Sequence, residues 1–193
     1  MKVAIIKYNA GNVRSVLYAL ERLGVEAVLT DDFETIQKAD KVIFPGQGEA
    51  SSAMKYLKQR NLDQLIKDLK QPFFGVCLGQ QLLCEHTEEN DTECLGIFPI
   101  KVKKFPAFEK VPHVGWNSLE NMDSPLFKGL DEEPYTYYVH SYYAELSPYT
   151  IATTHYMHDF TALIHKENFY AIQAHPEKSG KVGETILKNF LAL

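Results

Sequence analysis

The stretch Phe73-Phe74-Gly75-Val76-Cys77-Leu78-Gly79-Gln80-Gln81-Leu82-Leu83 decides how this chain folds. Pro72 to Val76 is an apolar run with the length of a short buried strand. It stops at Cys77, with Gly75 and Gly79 two residues to either side. Beyond it Leu78, Gln81, Leu82 and Glu85 recur at helical spacing, so a helix is predicted to begin at once. A strand, a sharp turn bearing a nucleophile between glycines, and a helix form an elbow that projects one side chain from a sheet edge. The flanking positions of so tight a turn leave no room for side chains. A helix N-terminus behind the nucleophile favours negative charge there and offers N–H groups to an oxyanion. A lone cysteine is more often an inert buried thiol. The Gly-x-Cys-x-Gly setting at a strand–helix junction tips the balance towards chemistry.

Working outward, the residues before the elbow repeat one theme. Residues 2–7 read as a central strand, and Tyr8-Asn9-Ala10-Gly11-Asn12 as a turn. Val13, Val16, Leu17, Leu20 and Leu23 give a helix stopped by Gly24, and Val25 to Leu29 form the next strand. Asp31-Asp32 opens a short helix to about Ala39, and Lys41 to Phe44 is a third strand. Helices follow around Met54–Leu57 and Leu62–Leu69. Strand–helix alternation predicts an α/β fold, a mostly parallel central sheet of flavodoxin-like type with helices on both faces. The loops after residues 7, 44 and 76 are then expected side by side at one sheet edge. After Leu95 strand-like runs dominate, at 99–104, 135–139, 142–145, 150–155, 160–164 and 169–173. They predict antiparallel strands added to the sheet or forming a flap. Gly115-Trp116-Asn117 reads as a turn, and a last helix spans about Gly180 to Leu191.

At 193 residues, with no repeat and no linker, one domain over residues 1–193 is expected. The net charge of −5 argues against nucleic acid or an anionic membrane as the general partner. No apolar run approaches the roughly 18 residues of a membrane span, and Met1 to Ile6 reads as a strand and not a signal peptide. Cys77, Cys84 and Cys94 are odd in number and lack metal-ligand spacing. A reducing cytoplasmic location without a metal or other cofactor is the expectation.

A nucleophilic cysteine needs a base. Of seven histidines, His175 follows the strand-like Tyr170-Ala171-Ile172-Gln173-Ala174, is stopped by Pro176, and has Glu177 two residues on. Around a proline turn that spacing sets a carboxylate against the imidazole, which completes a Cys-His-Glu triad. His-Pro-Glu alone would pass for a surface turn; the elbow cysteine raises its weight. Pro45-Gly46-Gln47-Gly48, ending the neighbouring strand, reads as the other half of an oxyanion hole, beside the N–H of Leu78. By itself it is more often an ordinary strand–helix turn.

Taken together, Pro-Gly-x-Gly, Gly-Val-Cys-Leu-Gly-x-Gln and His-Pro-Glu-Lys-Ser, in this order, resemble the class I (triad) glutamine amidotransferases. More narrowly the chain resembles the glutaminase subunits of imidazole glycerol phosphate synthase. That likeness rests on Gly11 to Val16, Val111 to Asn117, Tyr138 to Tyr142, and Lys178-Ser179. The resemblance implies that Cys77 attacks the side-chain amide of L-glutamine, that His175 handles the protons, and that Glu177 orients His175. It implies Gln47, Gly48 and Leu78 for the oxyanion hole, and Gly48, Gln81, His140, Ser141 and Tyr142 for binding substrate. It further implies a heterodimer with a (β/α)8-barrel cyclase, contacted through Asn12, Trp116, Tyr137 and Lys178. That partner receives the ammonia for imidazole glycerol phosphate and AICAR synthesis in histidine biosynthesis. Two residues depart from the family's habit, Gln47 in place of valine and Gln80 in place of methionine. The first leaves the backbone role of its loop intact. The second is expected on the helix surface.

Three other readings share these residues. A paralogous glutaminase would feed another acceptor. A stand-alone γ-glutamyl cysteine hydrolase would be fully active alone. A silent binding subunit would not need an intact Cys77, His175 and Glu177.

Overall fold

The computed structural model describes residues 1–9 and 13–193. The first half alternates strand and helix: β1 (Val3–Ile6), α1 (Arg14–Arg22), β2 (Ala27–Thr30), α2 (Phe33–Gln37), β3 (Lys41–Phe44), α3 (Ala50–Gln59), α4 (Leu62–Asp68), β4 (Phe73–Val76) and α5 (Leu78–Leu83). The second half is mostly strand: β5 (His86–Thr87), β6 (Thr92–Glu93), β7 (Lys101–Lys104), β8 (His113–Ser118), β9 (Tyr135–His140), β10 (Tyr142–Ala144), β11 (Thr150–Tyr156), β12 (His158–Lys166) and β13 (Phe169–Ile172). Helix α6 (Gly180–Leu191) closes the chain. Among the described residues, no helix is long and apolar enough to cross a membrane.

Seven strands form the central sheet in the order β11-β12-β13-β4-β3-β1-β2. The run from β13 to β2 is parallel, while β12 and β11 add antiparallel to the β13 edge. Four-residue strands that read as unbroken apolar runs suit such a sheet, because both faces are covered. The period of two shares the work: Val3 and Ile5 join one core, Ala4 and Ile6 the other. One face packs Val16, Leu20, Ile186 and Phe190 of α1 and α6. The opposite face packs Ile36, Leu57, Leu65 and Leu82 of α2 to α5. The late strands go three ways. Three, β11 to β13, join the central sheet, β8 and β9 form a separate antiparallel ribbon, and β10-β7-β5-β6 make a small second sheet.

Local chemistry explains the boundaries. The Asp32 carboxylate accepts from Thr35 N at 2.8 Å and caps α2, as an aspartate at that position should. Strand β2 starts two residues later than its apolar run. Gly24 adopts φ +72° and donates to Glu21 O, and Val25 donates to Leu20 O, so the Val25 N–H is spent on closing α1. Gly115-Trp116-Asn117 is not a turn. It lies inside β8, paired in register with Tyr138, Tyr137 and Thr136 of β9. Glycine and asparagine gave that segment a turn's composition, and cross-strand pairing overrode it.

Candidate active site

Cys77 sits where β4 gives way to α5, with φ 52° and ψ −109°. A residue other than glycine pays for that conformation in strain, and the surrounding contacts hold it there. Its N–H donates to Ile172 O at 2.8 Å, and its carbonyl accepts from Gln80 N at 2.9 Å, so both neighbouring elements pin the turn. Gly75 is confined by the elbow's own helix, at Leu83 and Gly79, whereas Gly79 is confined by the neighbouring strand. A Cβ on Gly79 would stand 2.2 Å from Phe44 O, and one on Gly46 would stand 2.3 Å from Gly79 N and 2.6 Å from Leu78 N. The loop after β3 therefore lies directly on the start of α5. As the first residues of a helix, Leu78 and Gly79 have no intrahelical acceptor for their N–H groups. Gly48 in the same loop holds φ +144°, a region that glycine alone adopts at little cost.

His175 follows β13, the strand beside β4. Its N–H donates to Tyr137 O at 2.9 Å, while Ser179 Oγ accepts from Tyr137 N at 2.9 Å and donates to His175 O at 2.6 Å. The His-Pro-Glu turn is thus laced to β9. Within it His175 Nδ1 donates to Glu177 Oε1 at 2.8 Å, with the two side chains 1% and 4% exposed. Among the described residues, His175 Nε2 and Glu177 Oε2 are buried with no partner at hydrogen-bonding geometry. Burial pushes the imidazole down, but the Cys77 sulfur and then the Glu177 carboxylate outweigh it, and the pKa is raised to about 10.

An open cleft of about 550 Å³ gathers the residues anticipated from the motifs. Gly46, Gln47, Gly48, Cys77, Leu78, Gln81, His140, Ser141, Tyr142, His175, Tyr137 and Lys178 all line it. Glu177 stands behind His175. Trp116 lies outside the cleft, 56% exposed, with its ring centroid 6.0 Å from that of Tyr137. Asn12 falls outside the described residues. Gln80 does not face the helix surface. It is fully buried, its Nε2 3.4 Å from Ala162 O and its Oε1 without a partner among the described residues, because α5 is enclosed on all sides.

Three features were not legible from the motifs. Glu89, from the turn between β5 and β6, reaches into the cleft and accepts from Ala50 N at 2.8 Å. Burial and then the nearby Glu49 raise its pKa, against the Ala50 hydrogen bond. In sequence it belongs to Glu88-Glu89-Asn90-Asp91, which has the composition of a solvated turn. Gln173, fully buried, places Nε2 3.5 Å from Cys77 Sγ and takes a hydrogen bond from Gln81 Nε2 at 2.9 Å. His140 donates Nδ1–H to Tyr142 O at 2.8 Å, which leaves Nε2 to accept from His113 Nδ1 at 3.0 Å. Burial pushes both rings down, to about 3 and about 4, so both are neutral above mildly acidic pH. With Gln81 Nε2 also on Tyr142 O at 3.0 Å, the turn into β10 is held from two sides.

A strained elbow cysteine, a buried His–Glu pair and a loop laid over the helix start are the apparatus of acyl transfer through a thioester. The chain belongs to the family of class-I glutamine amidotransferases, whose profile matches residues 4–193. Within that family it is similar to the proteins named imidazole glycerol phosphate synthase subunit HisH. It is 58% identical to that of Bacteroides thetaiotaomicron over the whole of both chains. It is 43% identical to that of Idiomarina loihiensis, covering 100% of this chain and 98% of the relative. Among solved structures, a glutamine amidotransferase from Thermotoga maritima superposes with a TM-score of 0.65 over 100% of this chain and 83% of the other. At 15% identity that likeness concerns the fold.

Proposed function

We propose that the chain, as one glutaminase domain over residues 1–193, is the glutamine-hydrolysing subunit of imidazole glycerol phosphate synthase in histidine biosynthesis. The observation that carries this reading is the Cys77 elbow beside the buried His175–Glu177 pair, in a cleft with ample room for a free amino acid. Cys77 attacks the amide carbon of L-glutamine. The oxyanion that forms takes the Leu78 N–H and an N–H of the Gln47–Gly48 loop. His175 gives its proton to the departing nitrogen, ammonia leaves, and a glutamyl thioester remains. Water then attacks the thioester as His175 takes its proton, glutamate departs, and the sulfur returns to its starting state. Glu177 keeps Nδ1–H in place and stabilises the imidazolium throughout. Polarity along the cleft orients the substrate. Glu89 suits the α-ammonium, and the turn at Ser141–Tyr142, with Gln81 and His140 behind it, suits the α-carboxylate. No cofactor enters these steps.

The ammonia acceptor is a (β/α)8-barrel cyclase docked over the open edge, and the setting is cytoplasmic. Support comes from the β8–β9 ribbon at the cleft's rim. Its outward face sets Val114 against Val139, Trp116 against Tyr137 and Ser118 against Tyr135, with Trp116, Tyr135 and Val114 more than half exposed. A row of exposed aromatic and aliphatic side chains is what an interface core uses. Lys178 adds a cation at the same rim, and Asn12 belongs to the proposed contact through its motif. Ammonia released without an acceptor is wasted, so docking and acceptor binding are expected to correct the loop at Gly46–Gly48 and raise turnover. Steady-state glutamine hydrolysis should rise at least about a hundredfold, near 2.7 kcal/mol in barrier, when barrel and nucleotide ligand are added. Full activity of the chain alone would refute the subunit reading in favour of a stand-alone hydrolase.

A further inference from the structure

We propose that Gln173 is a further catalytic residue of this site: its carboxamide donates a hydrogen bond to the Cys77 sulfur and stabilises the thiolate, and Gln81 fixes which end of the amide faces the nucleophile. The inference rests on Cys77 being the nucleophile. Register puts Gln173 there. Strands β13 and β4 run parallel with Ile172 opposite Val76, and Cys77 N donates to Ile172 O at 2.8 Å. The residue after Ile172 therefore lies beside the cysteine. Gln173 is fully buried, and its Nε2 is 3.5 Å from Cys77 Sγ, an ordinary length for a donor on a large sulfur atom. A neutral thiol is a weak acceptor, whereas a hydrogen bond to an ionised group is roughly twice as strong as a neutral one. The donor therefore favours the charged form.

The orientation of the amide is set by its other end. Gln81 spends its two N–H bonds on Gln173 Oε1, at 2.9 Å, and on Tyr142 O, at 3.0 Å. Turning the Gln173 amide over would set NH2 against NH2 and bring an oxygen lone pair against the sulfur. A residue in the substrate-binding wall thus aims a donor at the nucleophile, from a direction other than that of His175.

The remaining groups around Cys77 leave this effect readable. Tyr8 is close enough to interact with it, but the hydroxyl is buried, donates to Pro45 O and is pushed far up by burial, so it stays neutral. His140, which interacts with His175, is held neutral by burial. Glu177 engages the far side of His175. Among the described residues near the sulfur, His175 is the titrating partner, and its charge favours the thiolate in the same sense as the Gln173 donor.

The test is the pH profile of Cys77 alkylation by iodoacetamide in the isolated full-length chain, with the labelled residue identified by peptide mass. Gln173→Met keeps length and packing but removes the donor. Its midpoint should rise by about one pH unit, the scale of a hydrogen bond to a charged group. Gln173→Glu keeps an acceptor for Gln81 and turns an oxygen towards the sulfur, so its midpoint should rise further. In the complex the Glu variant should lose kcat by about tenfold or more while KM for glutamine stays within about threefold, since Gln173 faces the sulfur. If the Met variant fails to fold, the Glu variant carries the test. Wild-type midpoints in variants whose Cys77 is labelled would overturn the role of Gln173 alone. Failure of wild-type Cys77 to be labelled would instead overturn the reading of the nucleophile.

Discussion

Cys77, Cys84 and Cys94 are all unpaired, yet their surroundings differ. Burial pushes the Cys84 thiol far up, and it pushes Cys94 up to about 12, so both stay protonated and inert at neutral pH. A glutamine analogue with an electrophilic carbon at the amide position should modify Cys77 stoichiometrically. Labelling of Cys84 or Cys94 with Cys77 untouched would reassign the nucleophile. The partner histidine makes a second prediction at this scale. His175 is raised, so its charged form persists through neutral pH and is lost as pH climbs towards about 10. Replacing the carboxylate removes one of the two upward forces. Glu177→Gln should therefore move the alkaline limb of the glutaminase pH profile to lower pH and reduce kcat by at least about tenfold. An unmoved limb would show that Glu177 does not set the charge of His175. Both residues were readable from the spacing of His-Pro-Glu. Glu89 and Gln173 were not, because each sits in a context, a charged turn and a strand end, that says nothing of what it faces.

Elements place these residues by close approach. Helix α6 begins four residues after Pro176, and Gly183 presses on the catalytic turn so closely that a Cβ would stand 1.9 Å from Pro176 O. The obstacle is backbone and cannot swing aside. Gly183→Ala should cost about 2 kcal/mol, the usual scale of overpacking, which for a chain of this size is a fall in Tm of roughly 6 °C. It should also reduce glutaminase turnover by displacing His175, while an alanine at the exposed Lys181 of the same helix leaves both unchanged. Calorimetry and steady-state assay read the two effects, and an unchanged Tm would mean that α6 does not brace the triad. From sequence, the helices and the parallel strands before residue 77 were legible, since hydrophobic period and stop residues agree there. The ribbon β8–β9 was half legible. Its glycine and asparagine suggested a turn, and its strand character comes from a partner strand some twenty residues away.

Across the whole molecule the sheet edge, the ribbon and the His-Pro-Glu turn open on one side. Trp116 reaches beyond this rim without entering the cleft, so a change there tests the proposed docking apart from the glutamine chemistry. If the proposed barrel docks there, Trp116→Ala should weaken its stimulation about tenfold or more, the loss expected of an aromatic anchor, and leave whatever activity the free chain has unchanged. Titration of the variant with the cyclase measures this, and undiminished stimulation would place the anchor elsewhere on the ribbon. The sequence by itself determined the α/β order and the elbow, and it singled out Cys77, His175 and Glu177 as the candidate nucleophile, base and carboxylate that the fold then brings together. Those are local matters, set by period, by glycines at tight contacts and by a two-residue spacing around a proline. Only the tertiary structure decided that Gln80 is buried, that Gly115 to Asn117 pair as a strand, that Glu89 lines the cleft, that Gln173 stands against Cys77 and that His113 pairs with His140. These depend on which strands become neighbours, and strand order is a property of the whole sheet's packing that no window of sequence contains.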